Sequence, residues 1–184
     1  MKLTHLLLLI TAFTLPLIAD QPAENEQAAS LRYSNGGAIG KETIPELSST
    51  GVLKLNGTTI NALNISGSLI ATSAILGSLS VHGEANLRDT KISSSCTIYG
   101  YLRAQDTTFE GPLTLGAHKA VFTSSHLTSI TIQIEEGFKA KQIIELKQGS
   151  TVSGPIHFDS GKGEVHLYNS KVTGPITGGK LIKK

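Results

Sequence analysis

The chain is poor in the residues that build disulfides, aromatic clusters and charged surfaces. Its 184 residues include no tryptophan and one cysteine, with 5% aromatic and 16% charged residues. A single thiol cannot form an internal disulfide, so burial and backbone pairing must stabilise the fold. The near balance of 16 basic and 14 acidic residues argues against a nucleic-acid partner, which needs a clustered basic surface.

Motifs of known chemistry are also missing. The sequence contains no glycine-rich phosphate loop followed by Lys-Ser/Thr, no His-Glu-x-x-His and no paired cysteines. We therefore predict no catalytic, cofactor-binding or metal-binding residues and no cofactor. The uncharged stretch 62–81 is too rich in Ser, Thr, Asn and Gly for a lipid-spanning helix, so no transmembrane segment is predicted in the mature chain.

Residues 1–19 have the order of a secretory signal peptide. Lys2 gives a basic start, an apolar run follows to Phe13, and Ala19 supplies a small residue before Asp20. The apolar part, about 16 residues, is shorter than the roughly 20 that cross a bilayer as a helix. We predict cleavage after Ala19 and an exported mature chain that is periplasmic, on the cell surface or secreted.

Glycine recurs at a nearly fixed interval through the middle of the chain. It stands at positions 51, 67, 83, 100 and 116, with intervals of 16, 16, 17 and 16. Apolar residues flank many copies, as in Ile65–Leu69 and Ile98–Leu102, and Gly-Pro replaces Gly in Val152–Ile156. Self-similarity at a fixed period indicates a repeat architecture, in which each unit buries its apolar side against its neighbours.

A second element follows the glycine at a fixed offset. The segments 83–90, 100–107 and 163–170 each place apolar residues two and four positions after the glycine, then an Asp/Asn-Thr/Ser pair. Apolar and polar alternation is the period of a strand with one buried face. Asp and Asn before Thr or Ser are turn chemistry, and glycine permits a sharp bend or a close approach of the next coil.

These patterns predict an all-β fold, a single-stranded parallel β-helix (β-solenoid) over 51–179, with short coils of about 16–17 residues. The span holds about eight coils, which makes a rod ~40 Å long at the usual strand spacing. An antiparallel β-sandwich is the alternative. Residues 20–50 are expected to be disordered or to cap the first coil, and 180–184 to form a basic tail. Two irregular stretches, 132–141 and 159–163, predict a longer side and a turn.

The lone thiol, Cys96, is predicted to be a buried small hydrophobe. Strand alternation points its side chain to the same face as Ile98. A reactive nucleophile and an intermolecular disulfide are the alternatives. Neither has a neighbouring motif in the sequence that supports it.

Two histidines and a carboxylate form a candidate metal site. A hairpin over 157–166 would bring His157 opposite His166 with Asp159 beside them. Zinc needs three or four such ligands at bonding distance. Ordinary surface histidines are the interpretation that we favour.

Two carboxylates form a candidate enzymatic pair. Asp89 and Asp106 are one repeat apart and would lie on adjacent coils, near Arg88 and Arg103. Glycosidic chemistry uses two carboxylates ~5–9.5 Å apart. The Asp-Thr pair repeats, however, as a turn element along the chain, which favours a structural role.

The short glycine-bounded coils over 51–179 resemble bacterial β-helical polymer-forming proteins of the bactofilin kind. The resemblance is one of repeat style and transfers no functional residue; the signal peptide is a departure from the intracellular bactofilins. We predict an exported structural or adhesive scaffold, non-enzymatic, that self-associates through its ends. The alternatives are a glycan- or surface-binding module, with Tyr99, Tyr101 and Tyr168 as stacking groups, and a polysaccharide-active β-helix enzyme.

Overall fold

A computed structural model describes residues 30–33, 36–134 and 141–184. Within these ranges the chain forms seventeen β-strands and no helix, and so contains no helix that could cross a membrane. The predicted signal peptide and its cleavage site lie outside the described residues.

Strands β3, β4 and β5 are the longest, with 14 residues each. The strands are β1 (Ser30–Tyr33), β2 (Gly37–Ile39), β3 (Thr43–Asn56), β4 (Thr59–Thr72), β5 (Ile75–Arg88), β6 (Lys91–Ile92), β7 (Cys96–Gln105), β8 (Thr108–Gly116), β9 (Lys119–Thr123), β10 (His126–Ile132), β11 (Ile143–Lys147), β12 (Thr151–Val152), β13 (Ile156–Phe158), β14 (Gly163–Tyr168), β15 (Lys171–Val172), β16 (Ile176–Thr177) and β17 (Gly179–Lys183).

The strands stack as the coils of a parallel β-solenoid. Every strand pairing in the described ranges is parallel, and each segment pairs with the one that follows it by about one coil. This confirms the predicted β-helix and excludes the antiparallel sandwich. Each coil has three strand segments, which lie on three faces that we call A, B and C in chain order.

Each face contributes a column of inward side chains, one from each of eight coils. On face A the column is Ile44, Ile60, Leu76, Ile92, Phe109, Leu127, Val152 and Val172. On face B it is Leu47, Leu63, Leu79, Cys96, Leu113, Ile130, Ile156 and Ile176. On face C it is Leu53, Leu69, Ala85, Leu102, Ala120, Ile144, Val165 and Leu181. All are buried except the three in the last coil, so one continuous apolar core fills the rod.

The corner between face C and the next face A turns at a residue in the left-handed backbone region. The residues at this corner are Gly57, Ser73, Asp89, Asp106, Ser124, Gln148 and Asn169, with φ between 48° and 70°. Asn and Asp tolerate this conformation better than most side chains do. The predicted Asp/Asn-Thr/Ser turn element is therefore this corner.

A buried hydroxyl follows the corner residue in many coils. Thr90 and Thr107 donate to the carbonyl oxygens of Arg88 and Gln105, each at 2.9 Å. Ser125 Oγ accepts from the Thr107 amide at 3.2 Å. We call Thr90, Thr107, Ser125 and Ser150 the hydroxyl ladder. These hydrogen bonds satisfy backbone groups that would otherwise be buried without partners.

The corner between faces B and C contains stacked glycines in the first coils. Gly51, Gly67, Gly83 and Gly100 lie in register, and we call them the glycine ladder. Gly83 has φ 138°, and a Cβ on it would run into the carbonyl oxygen of Gly67. The predicted bend and close approach of coils are thus confirmed here.

The solenoid extends beyond the predicted 51–179. Strands β1 and β2 already pair with β3, which begins at Thr43, and Lys180–Lys183 belong to β17, which pairs with β14. The predicted start was late because it was counted from Gly51, which lies inside a coil and not at its beginning. Residues 44–50 are therefore part of the first full coil.

Candidate functional site

A cleft opens at the corner between faces B and C where the glycine ladder ends. Its volume is about 340 Å³. The side chains that line it come from three successive coils: Tyr99, Tyr101, His118, Lys119, Gln133 and Gln142. Residues 135–140 lie outside the described residues. The cleft is therefore described by the lining residues that precede and follow this segment in the chain.

The cleft exists because one coil has no side chain at the corner. Tyr99 and Tyr101 flank Gly100, so alternation projects both rings outward from the same coil. In the next coil Gly116 is the strand partner of Tyr99 and leaves space beside the ring. Across this space the Tyr99 hydroxyl donates to Gln133 Oε1 at 3.1 Å.

The ring of Tyr99 is held on its other side as well. The imidazole of His82, one coil earlier, stacks on it with 5.0 Å between ring centroids and 25° between planes. Stacking and the hydrogen bond to Gln133 together fix the ring before any ligand arrives. A pre-positioned aromatic ring loses little conformational entropy when it binds.

Gln142 forms the buried floor of the cleft. The residue is 1% exposed, and its Nε2 donates to the carbonyl oxygen of Gln133 at 2.7 Å. Its Oε1 accepts no hydrogen bond within the described residues. A buried acceptor without a donor costs about 1–3 kcal/mol, and a hydroxyl group close to it would remove that cost.

The charge beside the cleft is paired. Lys119 Nζ lies 2.8 Å from Glu145, and Lys147 lies 2.8 Å from the other oxygen of the same carboxylate. Partial burial raises the pKa of Glu145, but the hydrogen bonds from Lys119 and Lys147 outweigh it and hold the pKa below its usual range. The site therefore offers aromatic faces and amide groups more than net charge, which suits a neutral polar ligand.

A second concave region lies at the C-terminal end of the rod. Lys141, Lys162 and Lys180 surround Glu164 in a groove of about 760 Å³ that four glycines keep open, and we call it the lysine groove. The Glu164 carboxylate lies 2.8 Å from Lys141, 2.9 Å from His166 and 3.4 Å from Lys180. The hydrogen bonds from Lys141 and then His166 lower the pKa of Glu164 to about 2.

The proposed hairpin over 157–166 is wrong. His157 lies on face B and His166 on face C, and their strands run parallel to those of neighbouring coils. His157 pairs with Asp159 at 3.1 Å and His166 with Glu164 at 2.9 Å. Residues 30–33, 36–134 and 141–184 contain no group of three or more possible metal ligands.

The two candidate carboxylates occupy equivalent corners of adjacent coils. Asp89 accepts a hydrogen bond from Ser73 Oγ at 2.8 Å, and Asp106 accepts one from Gln105 Nε2 at 3.1 Å. Arg103 donates to the Tyr101 hydroxyl at 3.3 Å. Since serine, glutamine and asparagine fill the same corner in other coils, backbone conformation accounts for both aspartates.

Cys96 and Tyr168 lie away from the cleft. Cys96 is 1% exposed in the core, as predicted, and burial raises the pKa of its thiol, so the reactive thiolate is disfavoured. Tyr168 lies on face C with Lys147 Nζ 5.1 Å from its ring centroid. Of the three tyrosines, the structure brings two together.

No protein-family model, no curated protein and no solved structure matches this chain. The class of this protein therefore rests on its fold alone. It is a parallel β-solenoid of about eight coils, with a neutral aromatic cleft and a cationic end.

Proposed function

We propose that this protein is an exported, non-enzymatic structural or adhesive scaffold, a short rigid rod that attaches to other cell-envelope material through face B. The observation that carries the proposal is the chemistry of that face. A rod with one side that carries few charges and one charged side can lie flat on a neutral surface while staying soluble.

Face B presents small neutral polar groups along its length. Its central outward column is Ser48, Asn64, Ser80, Thr97, Thr114, Thr131, His157 and Thr177. Among the described residues, the only Asp, Glu, Lys or Arg side chain in register with this column is Arg32, which precedes Ser48 at the N-terminal end. The side chains follow one another at the strand spacing of ~4.8 Å, so the face is a regular array of hydrogen-bonding groups.

Face C has the opposite character. Its outward positions carry acidic and basic side chains in almost every coil: Lys54, Glu84, Arg88, Arg103, Lys119, Glu145, Lys147, Glu164 and Lys180. Interspersed charges keep a surface hydrated and discourage adhesion. The contrast supports face B as the attachment face.

The test is retention of the mature chain, residues 20–184, on purified envelope fragments of the source cell. A variant with Thr97→Lys, Thr114→Lys and Thr131→Lys should lose retention, because three buried cations would need partners that a neutral surface lacks. The matched control places three lysines on face C, as Thr72→Lys, Asn86→Lys and Thr123→Lys, and should be retained. Equal retention of both variants would refute attachment through face B.

A second candidate function rests on the cleft. Two tyrosine rings, the Gln133 amide and Gln142 Oε1, which accepts no hydrogen bond from the described residues, are groups that hold a sugar ring by stacking and by hydrogen bonds to hydroxyls. The cleft favours a neutral glycan over an acidic one because Lys119 is already paired with Glu145.

A glycan array read with the mature chain tests this function. Tyr101→Ala should abolish any binding, while Tyr168→Ala, on the same face but outside the cleft, should leave it unchanged. Titration calorimetry on the best glycan then gives the affinity. A glycan that binds the two variants equally well does not occupy the cleft.

A further inference from the structure

We propose that the rods join head to tail, with the acidic segment 20–29 of one mature copy bound along the exposed edge of the last coil of another. The inference rests on the proposed scaffold function and names the contact that would extend the rod. It uses three features of the described C-terminal end and the charge of one segment outside the described residues.

The last coil has an open edge. Strands β15, β16 and β17 pair on one side with β12, β13 and β14, and no strand of the described residues pairs with their other side. The core is also less covered here, since Leu181 is 43% exposed and Val172 and Ile176 are only half-buried. An extended segment that paired with this edge would bury apolar surface and satisfy backbone groups.

The edge selects its partner by charge. Residues 171–184 contain four lysines, at positions 171, 180, 183 and 184, and no acidic residue. Lysine and proline on an edge prevent pairing with a like edge, so two such ends repel each other. Residues 20–29 contain Asp20, Glu24 and Glu26 and no basic residue. The two charges are complementary.

The contact must form between copies. Segment 20–29 precedes β1, which pairs with β3 of the first full coil. The far edge of the rod lies eight coils away, ~38 Å at the strand spacing, whereas ten extended residues span at most ~35 Å. A segment cannot reach the edge of its own rod and still lie along it. A second copy stacked in the same direction can.

The charges identify the residues to test. Glu24 lies in the middle of the acidic segment, between Asp20 and Glu26. Lys184 follows Lys183, the last residue of β17, at the open edge. Glu24 of one copy and Lys184 of the other are the opposite charges that the test reverses.

Sedimentation velocity of the mature chain over a concentration series tests the contact. Glu24→Lys or Lys184→Glu should each weaken association about tenfold, and the two together should restore it to within about threefold. Lys91→Glu, in the middle of the rod, is the matched control and should associate like the parent. Added salt should weaken the parent by screening.

A monomer at every concentration, or single reversals without effect, would overturn the proposal. So would a double variant no better than the singles, or a Lys184→Glu variant that loses binding to anionic vesicles while its self-association stays unchanged. Failure here is distinguishable from failure of the scaffold function, because lysines on face B should abolish envelope retention and leave association intact.

Discussion

The first four coils, which end at Asp106, and the last four, which follow it, share the same inward columns but differ at their corners. In the first half the left-handed corner residues are Gly57, Ser73, Asp89 and Asp106, and the intervals between them are 16, 16 and 17. In the second half they are Ser124, Gln148 and Asn169, reached at intervals of 18, 24 and 21. The first half is uniform and the second is irregular.

The cores of the two halves differ accordingly. Among the described residues, the three fully buried phenylalanines, Phe109, Phe122 and Phe158, lie in the second half. In the face C column that contains Phe122, the preceding coils carry Ala104 and Leu87. The coils that contain the glycine ladder enclose smaller core side chains. The coils with longer corners enclose larger core side chains.

Hollows lie along both halves, but the two concave surfaces described above lie at the boundary between the halves and in the irregular half. The cleft begins where Gly100 ends the glycine ladder, and the lysine groove lies beside the long corner at 159–163. In uniformly stacked coils the outward side chains lie in register along the rod. Where a corner contains extra residues, neighbouring side chains leave these columns and line a cavity.

The largest effect should come from the glycine ladder. Gly83→Ala should cost at least about 4 kcal/mol of unfolding free energy. Gly83 has φ 138°, which disfavours a side chain, and a Cβ there would meet the backbone of Gly67. Gly161→Ala, in the second half, has φ 67° but open space around the Cβ and should cost only ~1 kcal/mol. Urea denaturation measures both. Similar costs would mean that the ladder is not tightly packed.

The next effect concerns the core of the irregular half. Phe122→Ala should cost about 3–5 kcal/mol through lost burial and the cavity left behind. Adding Ala104→Phe, one coil earlier, restores the volume but in the tight half, where overpacking costs ~1–3 kcal/mol more. Thermal unfolding of the single and double variants measures both costs. Rescue by Ala104→Phe would show that the two halves do not differ in packing tolerance.

A smaller effect is expected at the boundary between the halves. Thr107→Val should cost about 1–1.5 kcal/mol, because it removes the hydrogen bond from Thr107 Oγ1 to the Gln105 carbonyl oxygen, while the backbone hydrogen bonds of both residues remain. Thr107→Ser keeps the hydroxyl and should cost less than ~1 kcal/mol. If the valine variant is as stable as the serine variant in urea, the hydroxyl ladder does not stabilise the corner.

The smallest effect is a pH dependence confined to the second half. The pKa of Glu164 is lowered to about 2 from its ordinary 4.5, so its ion pairs stabilise the fold above pH 4.5. That contribution is lost as the pH falls from 4.5 through 2. The urea midpoint of the parent should fall as the pH is lowered from roughly 5 to 2.5. In the Glu164→Gln variant this fall should be smaller, because the ion pairs are already absent. Lys162→Gln, in the same groove, should keep the fall.

The regular half was the easier one to predict from sequence. Gly83 and Gly100, with the apolar residues after them, mark successive coils directly, and Asp89 and Asp106 mark the corners because few residues tolerate positive φ. The cleft could not be predicted in the same way. Gln133 and Gln142 line the cleft from positions before and after residues 135–140. No local sequence pattern predicts where the chain rejoins the regular coil after such a segment.

The same limit explains the failed hairpin. His157 and His166 are separated by a turn-rich segment that favours an antiparallel pair locally. The surrounding coils impose parallel pairing instead, because each strand has a complete hydrogen-bonding edge above it. Tertiary context therefore overrode the local turn signal.

The amino-acid sequence by itself determined that this chain is a parallel solenoid, because repetition of strand, glycine and turn residues is a local property of each coil. Only the tertiary structure decided which outward side chains meet, where the cleft opens and which end has a bare edge. Those outcomes depend on register between coils, and register is set by the sum of every corner length before it.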